Sequence, residues 1–440
     1  MENRTARLAR RIVDVLRSHG KQAYLVGGCV RDLLLGGTPK DYDVATDAPP
    51  EEVLRLFPKA QKVGAHFGVV LVREDDDEVE IATFRSDHSY SDGRRPDRVE
   101  FETDPRQDVL RRDFTINALL LDPETGRVLD YVNGQEDLRR GVIRAIGVPE
   151  QRFAEDHLRM LRAVRLSARL GFAIDPPTME AMRRQHELIR KVSPERVRDE
   201  LTRILIEGGA RRGFELLSES DLLVGILPEV AAMRGVQQPP QYHPEGDVWV
   251  HTLIMLELME RPTITLALGV LLHDVGKPPT FRVAPDRIRF DGHDEVGAKM
   301  AAGILSRLRY SSDEIRQVEE LVRHHLRFKD APKMRESTLK RFLRMPHFGE
   351  HLELHRLDCL SSHRNLSNYH FVKQKIEELP EEALKPPPLI TGRDLIADGF
   401  RPGPAFGEAL RSVEDAQLEG RVKTREDAMA LVRTILNPQS

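Results

Sequence analysis

Apolar residues in residues 1–20 recur at helical spacing between arginines, which predicts a surface helix. Tyr24, Leu25 and Val26 then form a short apolar run that stops at Gly27 and Gly28, and Val30, Leu33 and Leu34 return at helical spacing. That pattern reads as strand, glycine turn, helix. Residues 50–57 are amphipathic, and the Val/Leu run in residues 62–72 predicts a strand or hairpin. Residues 78–84 alternate, with Val79, Ile81 and Thr83 on one side and Glu78, Glu80, Ala82 and Phe84 on the other. Residues 85–101 (RSDHSYSDGRRPDRVEF) are rich in Ser, Asp, Gly, Pro and Arg and predict a mobile loop rather than an element. Beyond residue 147 extended segments give way to helices. These run through 153–172 and on to 232, past a Pro- and Gln-rich boundary at 235–247, and after the Pro-rich linker 384–390 into a tail.

Composition narrows the class. A chain of 440 residues should divide into several domains, and its 40% hydrophobic and 31% charged residues suit an ordinary soluble protein. Cys29 and Cys359 lie too far apart in sequence to suggest a disulfide framework, so a reducing cytoplasm is the expected setting. No stretch is long and apolar enough to secrete the chain or span a membrane. The formal net charge of −4 argues against a generic nucleic-acid coat, so any such surface must be local.

The chemistry concentrates first in residues 24–46. Gly27 and Gly28 let backbone N–H groups approach a ligand, the following helix start favours a phosphate, and Arg31 can point at the same ligand. Asp41 and Asp43 then share one face of a strand, within reach of common cations. A Gly-Gly turn alone is plain loop geometry and Asp-x-Asp alone an exposed edge. Together they suggest metal-assisted phosphoryl or nucleotidyl transfer. GGxxRD followed by DxD resembles the catalytic head of class II nucleotidyltransferases, the family of tRNA nucleotidyltransferases (CCA-adding enzymes) and bacterial poly(A) polymerases. The resemblance makes Asp41 and Asp43 holders of two Mg²⁺ ions and Glu80 the third catalytic acid, though a carboxylate in that position is usually just solvated. It makes residues 85–101 a complete flexible loop of the kind that helps switch incorporation from C to A and that CC-adding relatives tend to lack. It assigns Arg112 and Asp113 to triphosphate and ribose binding, with Gly28 and Arg31 at the phosphates.

In residues 153–172, Arg159, Arg162, Arg165 and Arg169 form one stripe, with no acidic residue between His157 and Ile174 to neutralise it. Asp156 and Arg159, three apart, are expected to meet on one helical face. They resemble the family's EDxxR motif. Cytosine and adenine each pair an exocyclic amine donor with an unprotonated ring nitrogen, whereas uracil and guanine reverse the pattern. An accepting aspartate and a donating arginine therefore match C and A, and each reversed contact costs roughly 1–3 kcal/mol. Arg162 and Arg165 become candidates for the triphosphate or primer backbone.

A second constellation follows residue 247. His251 sits on an apolar helix, His273 and Asp274 end another, and His293, His324, His325 and Asp358 come later. A lone histidine on an apolar face is usually a satisfied core residue; several on successive helices suggest a divalent transition metal. The order resembles HD phosphohydrolase domains. By that match His251, His273, Asp274 and Asp358 are ligands, and His293 with His324 or His325 completes or extends the site.

The expected fold is α+β: a nucleotidyltransferase head with a small mixed sheet (1–141), a helical neck and body (142–235), an HD domain (236–378) and a helical tail (379–440). The expected function is template-independent addition of C, C and A to tRNA 3′ ends from CTP and ATP, using Mg²⁺, with a second divalent metal in the HD domain. Three alternatives stand beside it. A poly(A) polymerase shares the motifs, but the basic stretch of that branch is replaced here by Gly64, Ala65, His66 and Phe67. The others are an A-adding enzyme, and a phosphohydrolase carrying a degenerate tRNA-binding head.

Overall fold

The computed structural model describes residues 4–436 except 64–67, 89, 91, 92, 95 and 286; the Gly64 to Phe67 stretch thus lies outside the described residues. The chain forms two compact units, residues 1–231 with 307–309, and residues 232–306 with 310–440.

The first unit opens with helix α1 (Arg4–Ser18), whose buried face is Ala6, Leu8, Ala9, Ile12, Val13 and Leu16. It packs on a mixed sheet built from β1 (Ala23–Val26), β2 (Tyr42–Thr46), β3 (Gln61–Lys62), β4 (Val69–Glu74) and β5 (Asp77–Thr83). Helix α2 (Gly28–Leu34) connects β1 to β2. With two further short strands, Leu120–Leu121 and Val128–Leu129, the sheet has seven members; β2 and β5 run parallel and the other neighbours antiparallel. The alternation in β5 comes out as buried Val79, Ile81 and Thr83 against exposed Glu78 and Glu80.

The polar stretch after β5 departs from the expected loop. Arg85–His88 (β6) and Arg98–Phe101 (β7) pair antiparallel. Its composition favours a turn, but Phe84, directly ahead of β6 and fully buried in the core with Val26, Ala45 and Leu120, fixes where the hairpin starts. After helix α3 (Pro105–Leu110) come the sheet strands Leu120–Leu121 and Val128–Leu129, and the described remainder of the unit is helical apart from a two-residue strand pair, Val142–Ile143 with Ala173–Ile174.

Among the described residues the second unit is helical apart from the short hairpin Arg282–Val283 with Ile288–Arg289 and an isolated bridge between Gln237 and Asp247. Helices Val248–Leu258, Ile264–Leu272, Ser312–His324 and Phe348–Ser361 pack on one another. Helix Ile264–Leu272 is apolar all round and buried, as a central helix must be. A separate small core, including Leu395, Ala409, Val413, Ala416, Ala428 and Val432, closes the tail.

Candidate active site

Gly27, at φ +81, lies in backbone space that side chains rarely adopt, and a Cβ there would stand 3.5 Å from Asp43 Oδ2 and 3.8 Å from Arg112 Nη1. Register does the rest: Val26 faces Asp43 across β1 and β2, and Asp43 faces Glu80 across β2 and β5. Asp41 stands one residue ahead of β2. Burial and the nearby Glu80 push Asp43 up to about 6; Arg112 opposes the shift and Asp41 adds to it. Among the described residues the three carboxylates do not close to within 4.8 Å of one another. An all-oxygen set of that openness fits Mg²⁺, which keeps several waters and takes only one or two protein carboxylates beside substrate phosphates.

Asp108, fully buried, holds the two arginines behind this site. Its Oδ1 accepts from Arg111 Nε (2.8 Å), and its Oδ2 from Arg112 Nε and Nη2 (3.1 and 2.7 Å). Asp113 is ion-paired with Arg162 at 2.6 Å and accepts from the Phe114 N–H. Arg31 is buried with its Nη2 at the glycine turn, 3.5 Å from where a Cβ on Gly28 would stand, while its Nη1 donates to Asn117 Oδ1 (2.7 Å) and its Nε to Asp32 Oδ1 (2.8 Å).

Asp156 and Arg159 do not share a helix. Helix Pro149–Glu155 ends first, Asp156 is extended (φ −140, ψ 105), and the next helix begins at Arg159. The Asp156 side chain accepts from the Leu158 N–H, a local bond that competes with helix continuation. Its carboxylate also takes Arg196 Nη2 at 3.0 and 3.1 Å, while Arg159 donates to Glu155 Oε2 (2.7 Å) and the Arg111 carbonyl (3.2 Å). The arginine stripe does lie on one helix, Arg159–Leu170, but acids from other elements neutralise it. Arg165 is buried against Glu200 (2.6 Å) and Arg169 meets Asp32 (3.1 Å). Arg165 is therefore a structural ion pair rather than a phosphate contact.

In the second unit the histidines converge. His251 Nε2 lies 3.2 Å from Asp358 Oδ1, and His273 Nε2 lies 3.0 Å from Asp274 Oδ2. His293 and His325 approach the other Asp274 oxygen at 3.6 and 3.9 Å, with their Nε2 atoms 3.3 Å apart. His324 turns away to Glu320. The opposite ring nitrogens are all committed: Nδ1 of His273, His293 and His325 to the carbonyls of Val270, Phe290 and Val322, and Nδ1 of His251 to Glu245 at 2.7 Å. Such second contacts aim each Nε2 inward, as around a metal. His251 Nε2, His273 Nε2 and Asp274 Oδ2 are buried without a well-aligned hydrogen bond among the described residues, and the imidazole-carboxylate set fits a divalent transition ion. Burial opposes protonation of His251, but Asp358 and Glu245 outweigh it and raise it to about 9; burial and neighbouring His293 and His273 depress His325 to about 3. Asp274, Asp358, His293 and His325 line a cavity of about 770 Å³.

Residues 23–144 match the model of the Poly A polymerase head domain, and residues 295–432 that of tRNA nucleotidyltransferase domain 2. A CC-adding tRNA nucleotidyltransferase of Thermus thermophilus is 36% identical over 94% of this chain and 93% of its own length. The chain belongs to the tRNA nucleotidyltransferase family. A CCA-adding enzyme of Lactobacillus johnsonii is 39% identical over 56% of this chain, and the match spans only 63% of that relative. The crystal structure of the Bacillus stearothermophilus CCA-adding enzyme in complex with CTP superposes with a TM-score of 0.76 at 26% identity, covering 99% of both chains. No described helix is long and apolar enough to cross a membrane.

Several contributors had no signal in the sequence. Arg196 and Glu200 act through partners distant in the chain, whereas Asp108, Glu245 and Lys277 stand within a few residues of the Arg111, Arg112, His251 and Asp274 they hold, beside motifs that drew attention to their neighbours instead.

Proposed function

We propose that the chain adds C, C and A to tRNA 3′ ends from CTP and ATP without a template. The observation that carries this reading is the meeting of Gly27, Asp43, Glu80 and Arg112 at one point of the head; family membership supports it. Asp41 and Asp43 would hold Mg²⁺, with Glu80 beside them, and the ions would supply charge stabilisation for the attacking 3′-hydroxyl and the departing pyrophosphate. The 3′ oxygen bonds to the α-phosphorus, the α–β phosphoanhydride bond breaks, and the hydroxyl proton passes to solvent. Arg112, held by Asp108, would face the phosphates, and Asp113 the ribose. Asp156 and Arg159, oriented separately by Arg196 and Glu155, would read the base edge. In domain terms residues 1–141 would be the head, 142–235 neck and body, 236–378 the HD domain and 379–440 the tail.

The test is tRNA ending at the discriminator base, incubated with CTP and ATP separately and together, with the products sequenced. CTP alone should give CC, and both together CCA. Products ending at CC with both nucleotides would select CC addition, the second reading, which the full-length likeness to the Thermus thermophilus enzyme favours. Tails of A from ATP alone would select poly(A) synthesis.

For the histidine cluster we propose metal-dependent hydrolysis of 2′,3′-cyclic or terminal phosphates on damaged tRNA ends, with Ni²⁺, Mn²⁺ or Co²⁺ preferred over Mg²⁺. The cations would supply a water of lowered pKa and polarise the phosphoryl group. Water oxygen bonds to phosphorus, the bond from phosphorus to the 3′ oxygen breaks, and the proton ends on that 3′ oxygen, which restores the hydroxyl the head uses.

A further inference from the structure

We propose that the cavity over the histidine cluster binds the terminal nucleotide of an RNA strand, with the base stacked on Tyr242 and the phosphate turned to the cluster. This rests on the phosphohydrolase reading and adds base recognition to it. A cavity of about 770 Å³ is far larger than a phosphate group needs and is of the size that takes a drug-sized ligand. Beside the imidazoles, the rings of Tyr242 and Phe290 line it.

Tyr242 is 50% exposed, and among the described residues its ring and hydroxyl have no partner. A single exposed aromatic needs no explanation by itself. Here, however, its backbone is braced: the N–H groups of Tyr242 and His243 both bond the Pro239 carbonyl (3.1 and 3.0 Å), and a bridge between Gln237 and Asp247 ties the ends of the segment. The ring is thus presented on a fixed turn at the cavity wall. Phe290 lines the same cavity, edge-on to His293 at 6.3 Å, with the Lys277 ammonium 5.4 Å from its centroid. Lys277 is held by Gln238 (2.6 Å) and Asp274 (2.7 Å), and the exposed Lys329 lines the same space. An aromatic platform beside lysines and a cation-binding cluster is the combination that single-stranded nucleic acid selects, the ring taking the base and the cations the phosphate.

The test is equilibrium binding to the full chain loaded with Mn²⁺, with adenosine 3′-monophosphate and inorganic phosphate as probes. Tyr242→Ala should weaken the nucleotide by roughly tenfold, the scale of one lost base stack, and leave phosphate affinity unchanged. Tyr242→Trp should restore nucleotide binding. Any contribution from the head is common to all three proteins and cancels. Equal weakening of both probes, or unchanged nucleotide affinity in Tyr242→Ala, overturns the proposal. Hydrolysis of bis(p-nitrophenyl) phosphate, a diester without a base, tests the phosphohydrolase reading separately: its absence with every metal would sink that reading, while the binding difference still decides the base platform.

Discussion

Asp43 is the residue whose energetics are most exposed to test. Its folded pKa stands near 6, above the ordinary aspartate value of about 3.9. The folded state therefore binds the proton more tightly than the unfolded chain. The stability this confers is full below about pH 4 and is lost as pH rises through about 6. At neutral pH, without divalent cations, the ionised carboxylate is a cost to the fold. Asp43→Asn should raise the metal-free melting temperature at pH 7.5 by about 2–4 °C, the scale of 1 kcal/mol in a unit of this size, with the gap closing near pH 4. The same substitution, like Asp41→Ala, should abolish nucleotide addition while leaving tRNA affinity nearly intact. Identical melting curves at both pH values would show that the carboxylates do not repel as the geometry implies. Arg159 carries a second prediction. If it reads the base edge, Arg159→Ala should let UTP and GTP gain relative to CTP and ATP, and Arg196→Ala should do so more weakly by loosening Asp156. Equal loss for all four nucleotides would make Arg159 a phosphate clamp.

Elements show where sequence reasoning holds and where it stops. The strand, glycine turn and helix of residues 23–34, and the alternation in β5, were legible because apolar periodicity and Gly27 act locally. Charge pairing was not. Arg196 lies 40 residues from Asp156 and Glu200 lies 35 from Arg165; of the stripe that looked unneutralised, helix Pro194–Ile206 matches Arg165, while Arg159, Arg162 and Arg169 meet Glu155, Asp113 and Asp32. The hairpin β6–β7 was missed because its polar composition is that of a turn, while its pairing is backbone chemistry. The segment between its strands makes a contact with consequences. The Gly93 carbonyl accepts the His157 N–H at 3.2 Å, and a Cβ on Gly93, already at φ +64, would collide with the His157 ring. His157 stands between Asp156 and Arg159. Gly93→Ala should therefore push the hairpin off the base-reading segment and reduce the final A more than the two C additions. Sequencing products at limiting time would read this, and parallel loss of all three steps would count against a role for the hairpin in the switch.

At the scale of the whole molecule, the carboxylates of the head and the histidine cluster belong to two different compact units. The carboxylates of the head draw on its sheet, and the histidine cluster draws on helices Val248–Leu258, Ile264–Leu272, His293–Arg307 and Phe348–Ser361 and on the 3-10 segment His325–Lys333. No residue of the cluster belongs to the first unit. Loss of one chemistry should then leave the other standing. His273→Ala combined with Asp274→Ala should remove metal-dependent hydrolysis of 2′,3′-cyclic phosphates and leave CCA addition to an intact 3′-hydroxyl unchanged. Both residues are buried, so a second variant guards against simple unfolding: Asp358→Asn keeps the volume and removes the charge beside His251. Hydrolysis should fall in both variants. A tRNA ending in a 2′,3′-cyclic phosphate links the two units functionally. Wild-type protein supplied with Mn²⁺, Mg²⁺, CTP and ATP should extend it, and either variant should leave it blocked until the phosphate is removed by another enzyme. Extension of the blocked tRNA by the variants would mean that the cluster does not clear the end, and loss of addition to an intact end in Asp358→Asn would mean that the cluster serves the fold rather than a reaction.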